Sequence, residues 1–157
     1  MYSLVANDEV EGALRTIIVL CLLLSLTACT TAQPTPTPTD ELVIPTPVSG
    51  QAVVYGRVLS SITGQPIYRV RVAFAEVIRN GETAIFVDDA AFSPFAETDT
   101  DGRFVLPDLP PKEYVIVIGD PFGLNDVVRN PDGLPKVWNI EAGQQLDIGE
   151  VRVNIGV

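Results

Sequence analysis

Beyond residue 50 the chain never runs far without a residue that breaks regular structure. Gly, Pro, Asn or Asp recurs so often that the longest stretch free of all four is Ile67 to Arg79. Within that stretch Val70, Val72 and Phe74 alternate with Arg69 and Arg71, the period of a strand with one buried face. Elsewhere the intervals suit strands and are too short for helices of ordinary length. The run "AVVYGRVL" sets Val54 and Val58 on one face and Arg57 on the other, "TAIFV" follows the turn signal Asn80-Gly81, and Phe104 and Leu106 alternate with Arg103. "YVIVIG" is apolar on both faces and reads as a central strand, while "KVWNIEA" and "LDIGEVRVNI" supply two or three more. The expectation is an all-β chain, an antiparallel β-sandwich of about seven strands over residues 51–157.

A chain of 157 residues with 46% apolar composition can bury one core of ordinary size, so one domain with appendages is expected. The formal net charge of -10, with no basic cluster, argues against a nucleic-acid partner or a bare anionic bilayer surface. The sequence has no His, which removes the commonest general base and metal ligand. Its two Cys, Cys21 and Cys29, both precede the region of strand-like pattern, so no disulfide scaffold is expected.

Residues 16–26, "TIIVLCLLLSL", follow Arg15 and precede the small residues Thr27 and Ala28. Charge, apolar core and small residues in that order are the layout of a secretory signal peptide, here residues 1–28. The run is too short for a membrane span, which needs about 20 apolar residues. Leu26, Thr27, Ala28 and Cys29 resemble the lipobox of bacterial lipoproteins, in which the Cys becomes the mature amino terminus. The resemblance implies that Cys29 is alkylated by a diacylglycerol group and that Cys21 leaves with the cleaved leader. Asp8, Glu9 and Glu11 make the flank acidic, which points to a start downstream of Met1. Two acyl chains, at about 0.8 kcal/mol per buried CH₂, give stable anchoring where one would be marginal.

Residues 29–50 join this lipidated Cys to the folded part. Thr-Pro repeats predict an extended, semi-rigid tether, because Pro fixes its own φ and biases the residue before it toward extended geometry. Fully extended at about 3.1 Å per residue, the tether would reach on the order of 60 Å. A Pro-rich recognition peptide for a partner's aromatic groove is the alternative reading of the same repeats.

The blocks "VYGRVLSSITGQPIYRVRVAF" and "TDTDGRFVLPDLPPKEYVIVI" resemble the carboxypeptidase regulatory-like domain. The likeness is carried by Gly56 and Val58, Gly64 and Pro66, Val70 to Phe74, Thr98 and Asp99 through Gly102 to Phe104, Leu109 and Pro110, and Tyr114, with "GQQLDIGEVRV" matching the closing strands. It implies an Ig-like, transthyretin-like sandwich of the prealbumin-like group. Lys112 stands where that family usually has Gly, and "GDPFGLNDVVRNPDGLPK" is longer than its usual connection. Such an excursion on a rigid sandwich is where a binding surface is expected.

Glu97, Asp99, Asp101 and Asp108 have the spacing of a calcium loop. Against it stand the strand-like alternation of Phe104 and Leu106, Pro107 before the last ligand, and the lack of flanking helices; Asp101-Gly102 fits hairpin chemistry better. Tyr55, Tyr68, Phe92, Phe95, Phe122 and Trp138 could grip a sugar if they formed an exposed strip, although strand aromatics are more often core. Asp88-Asp89 reads as solvated charge. The first strand carries Arg57 and no Lys, which speaks against the Lys–Asn isopeptide bond of related surface domains; Lys112 and Lys136 are the only lysines. The expectation is therefore a lipoprotein held at the extracytoplasmic face of the cell membrane, without cofactor or catalytic residues. Its sandwich would serve as a structural or protein-interaction module, or alternatively as a carbohydrate-binding module, with surface proteins or glycans as partners.

Overall fold

The alternation that marks Val72 and Phe74 from their arginine neighbours becomes the middle of a sheet, with both side chains fully buried. A computed structural model of the chain describes residues 42–156; the signal peptide, Cys29 and tether residues 29–41 lie outside the described residues. Nine strands follow one another: β1 Ala52–Ser60, β2 Arg71–Asn80, β3 Thr83–Val87, β4 Phe95–Glu97, β5 Arg103–Leu109, β6 Glu113–Gly119, β7 Asn125–Val127, β8 Val137–Asn139 and β9 Gln145–Val153. Among the described residues there is no helix, and so none long and apolar enough to cross a membrane.

The strands form two sheets. One has the order β5-β1-β9; in the other β2 and β6 lie side by side, with β3 and β4 sharing the free side of β2, and β7 and β8 the free side of β6. Three positions in one sheet and four in the other make seven, so the nine segments fill the seven expected positions because both edges of the larger sheet are broken in two. β6, expected to be central, is buried on both faces and is paired along both sides.

One feature corrects the all-antiparallel expectation: β1 and β9 pair in parallel, Val53 opposite Gln145 through Ser60 opposite Val153. They are the first and last strands of the sandwich, and the chain between them crosses to the other sheet and back, so no tight turn dictates their relative direction. The register shifts at Gly56, where a Cβ would stand 2.5 Å from Cγ1 of Ile148 and 2.9 Å from the carbonyl of Gly149. Only Gly admits that approach.

Between the sheets lie Val54 and Val58 of β1, Phe104, Leu106 and Leu109 of β5, Val151 and Val153 of β9, Val72 and Phe74 of β2, and Tyr114, Ile116 and Ile118 of β6. Phe74 and Tyr114 meet edge to face, centroids 6.1 Å apart. Turn chemistry sets the register around this core. Asn80 pairs with Thr83 across the loop Gly81-Glu82, and Gly81 has φ 62°, the first-position glycine that a type II′ turn needs. Buried Thr98 donates its hydroxyl to the Ile67 carbonyl at 2.7 Å and accepts the Val70 amide at 3.0 Å, fastening the β1–β2 connection to β4.

Residues 42–50, read from sequence as the end of the tether, lie against the outer face of the three-stranded sheet. Gln145 Nε2 donates to the Pro45 carbonyl at 3.0 Å, Gln51 N donates to the Val48 carbonyl at 2.9 Å, and Leu42 shares a depression with Tyr55, Arg57 and Asp147. Leu42, Ile44 and Pro47 are half-buried. These apolar side chains distinguish the stretch from the Thr-Pro repeats before it and account for its packing.

Candidate functional site

β2 continues past the core, so its inward-facing positions Glu76 and Ile78 overhang the smaller sheet. Val87 of β3 pairs with Glu76, and the turn between β5 and β6 closes the other side with Pro110 and Lys112. The result is a groove of about 350 Å³ with Phe74 and Tyr114 in its floor and Phe92, Ser93 and Pro94 on its rim. Lys112 Nζ lies 2.7 Å from Glu76 Oε2, and both side chains are half-exposed, so an ion pair crosses an otherwise apolar wall. Tyr114 donates its hydroxyl to the Pro110 carbonyl at 3.1 Å; burial first and the Glu76 charge second push its pKa up to about 12.

The rim is a closed turn. Asp89 Oδ1 accepts the Ala91 amide at 2.8 Å, the Asp89 carbonyl accepts the Phe92 and Ser93 amides, and Ser93 Oγ accepts the Asp89 amide at 2.8 Å. Asp88, next to it, takes a bidentate ion pair from Arg71, both contacts 3.0 Å and both side chains largely buried. This pair ties the turn to β2. Phe92 stands at the tip, 85% exposed.

A second feature lies on the outer face of the larger sheet. Phe86, Val77, Val115 and Val137 follow one another across β3, β2, β6 and β8, and with Ala84, Ile85, Leu134 and Pro135 they line an apolar trough of about 240 Å³. No charged side chain lines it. At one end Arg79 and Glu113 form a bidentate pair at 2.6 and 3.0 Å; the hydrogen bond from Arg79 holds the Glu113 carboxyl below the usual range.

The four carboxylates with calcium-loop spacing are not brought together. Asp99 Oδ1 accepts the amides of Asp101 and Arg103, its Oδ2 takes Arg103 Nε at 3.0 Å, and Asp101 pairs with the same guanidinium at 2.8 Å. Glu97 is cross-strand from Arg71, and Asp108 lies toward the far end of β5. Among the described residues no cluster of acidic or thiol side chains could hold a metal ion. Asp101-Gly102 is a turn, as expected, but not a hairpin: β4 pairs with β2 and β5 with β1, so the turn carries the chain from one sheet to the other. Gly102 has φ 75°, donates to the Asp99 carbonyl at 3.0 Å, and presents its own carbonyl to Val58 N at 2.7 Å.

The six aromatics do not make one strip. Trp138 faces inward opposite Tyr114 and packs on the core, with Lys136 Nζ 3.6 Å over its ring; its Nε1 is buried without a hydrogen-bond partner. Phe95 lies on the outer face beneath the Arg71 guanidinium, Tyr68 is beside Arg69, Tyr55 is half-buried against the strap that residues 42–50 form, and Phe122 projects at the β6–β7 turn. Phe92 stands over the groove that Phe74 and Tyr114 floor. The long excursion after β6 supplies Leu134 and Pro135 to the trough. Sequence reasoning missed Glu76 as a partner for Lys112, Phe86 and Val77 as trough residues, and Asp89 as the residue that closes the Phe92 turn. The one available signal was "TAIFV", an uncharged strand with no polar face.

No protein-family model and no curated protein matches the sequence. Among solved structures the chain is similar to a Pseudomonas aeruginosa protein provisionally assigned to carbohydrate binding, with 18% identity, 69% of this chain and 92% of that one covered, and a TM-score of 0.43. It is similar to a DUF3823 family protein from Bacteroides uniformis, with 20% identity, 66% and 43% covered, and a TM-score of 0.39. The major pilin subunit of Bacillus cereus gives 14%, 66% and 30%, and 0.40. With TM-scores below 0.5, none of these likenesses assigns a ligand, partner or activity.

Proposed function

We propose that the chain is a bacterial surface lipoprotein in which Cys29 carries the lipid, the Thr-Pro segment is the spacer, and a transthyretin-like sandwich of the carboxypeptidase regulatory-like kind is a non-catalytic contact module outside the cytoplasmic membrane. The observation that carries the module reading is the apolar trough floored by Val77 and Val115, whose other lining residues Ile85, Phe86, Leu134 and Val137 are exposed. Contiguous apolar surface of this kind is costly to leave in water and marks contact sites. Leu42 enters over the opposite sheet, which leaves the trough clear of the strap. In the groove, Glu76 is ion-paired and Asp89 accepts a turn amide, an arrangement suited to holding shape rather than to moving protons. Surface proteins are the partners that fit the trough.

The carbohydrate-binding alternative is favoured by a different observation, the exposed Phe92 ring above a mainly apolar groove crossed by the Glu76–Lys112 ion pair. The lipid anchor is tested by expressing the full chain and its Cys29→Ser variant in a lipoprotein-processing bacterium and separating detergent from aqueous phases. The wild type should enter the detergent phase and the variant the aqueous phase; equal detergent partition of both would refute the anchor.

A further inference from the structure

Phe92 is 85% exposed, yet the backbone that carries it is closed through Asp89 and Ser93 and anchored through Asp88 to Arg71. A large apolar ring held in water by an ordered turn is a platform for a ligand that brings its own apolar face. Beneath it, Glu76 and Lys112 cross the groove; the ammonium has further donors and the carboxylate further lone pairs beyond their mutual contact. Ile78, Val87, Pro94 and Pro110 fill the walls between these polar points.

From this arrangement, and resting on the contact-module reading above, we infer that the groove binds a neutral mono- or disaccharide, its C–H face on Phe92 and its hydroxyls on Glu76 and Lys112. The volume of about 350 Å³ falls at the lower end of small-molecule sites. Two carboxylates, Glu76 and Asp89, face one ammonium, and the chain carries net charge -10, so uronic and sialic acids are repelled. A cationic ligand would have to displace Lys112 from Glu76. A neutral ring need only share the pair.

The test titrates the processed full-length protein, in a detergent without sugar headgroups, with maltose, cellobiose, mannobiose, lactose and chitobiose, and with digalacturonate as the acidic control. At least one neutral disaccharide should bind, and digalacturonate should bind at least about tenfold more poorly. Phe92→Ala and Lys112→Met should each weaken binding by about tenfold. Phe92→Ala should melt at the wild-type temperature, and Phe122→Ala, at the other end of the larger sheet, should keep wild-type affinity. No neutral disaccharide bound at about 10 mM, or binding indifferent to Phe92→Ala, overturns the inference. If the panel is blank but isolated cell envelopes retain the unlipidated Cys29→Ser protein and lose the Cys29→Ser, Phe86→Ser double variant, the saccharide assignment fails and the contact module stands; if envelopes retain neither unlipidated protein, both readings fail.

Discussion

Glu76 and Lys112, 36 positions apart in sequence, meet at 2.7 Å because β2 overruns the smaller sheet and the β5–β6 turn folds up to it. Neither residue has a local signal for the other. Register alone brings them together: Glu76 lies opposite Tyr114, two positions beyond Lys112. The pair is half-exposed, so its direct stabilisation is small, about 0–1 kcal/mol. Its consequence is positional, since it fixes a donor and an acceptor across an apolar groove.

The strap makes a separable contribution to stability. Deleting residues 30–41 should leave the unfolding midpoint unchanged. Leu42→Ser combined with Gln145→Ala should lower stability by about 1–2 kcal/mol, through lost apolar burial and one hydrogen bond. Chemical denaturation of each variant checks this; equal stability in the double variant would show that the strap rests on the sheet without holding it.

Arg71 and Asp88 anchor the turn that displays Phe92. Asp88→Asn should destabilise by about 1–3 kcal/mol, because a largely buried guanidinium loses its charged partner. Amide hydrogen exchange should quicken at Ala91, Phe92 and Ser93 in this variant. Unchanged protection there would separate the ion pair from the turn.

Gly102→Ala should be among the most damaging single-methyl additions, because φ is 75° and the new Cβ would run into the Val58 carbonyl. A loss of about 2 kcal/mol or more is expected from equilibrium unfolding. By contrast Gly133→Ala, also at positive φ but with open space around it, should cost about 1 kcal/mol.

Tyr114 gives the fold an alkaline limit. Its folded pKa is raised to about 12, above the ordinary tyrosine value near 10. The folded state therefore holds the proton that the unfolded state releases; this contribution is complete below about pH 10 and is lost as pH rises toward about 12. Tyr114→Phe should lose about 1 kcal/mol at neutral pH with the hydrogen bond to Pro110, and should show a shallower fall in stability between pH 10 and 12. Parallel curves for the two proteins would contradict this role.

Where one face of a strand is buried and the other is not, the sequence carries the fold openly, as at Val70, Val72 and Phe74, and at the doubly apolar β6. Turns that require positive φ were equally legible at Asn80-Gly81 and Asp101-Gly102. The parallel pairing of β1 and β9 was hidden, because side-chain alternation is the same for either direction. The splitting of both edges was hidden too: three-residue strands such as β4 and β8 are too short to show a period. At the candidate site, Phe92 could be named but not distinguished from Phe95 or Trp138, since exposure depends on which face of which sheet each ring meets. For the carboxylates with calcium spacing, Arg103 and two backbone amides are better placed for Asp99 than its acidic neighbours are for an ion.

The measurement that bears most directly on a lipid-anchored display module is mass spectrometry of the mature amino-terminal peptide from protein purified out of native bacterial membranes. The account predicts a chain beginning at Cys29 with its sulfur carrying a diacylglycerol group. A chain that keeps residues 16–28, or begins with an unmodified Cys29, would contradict it.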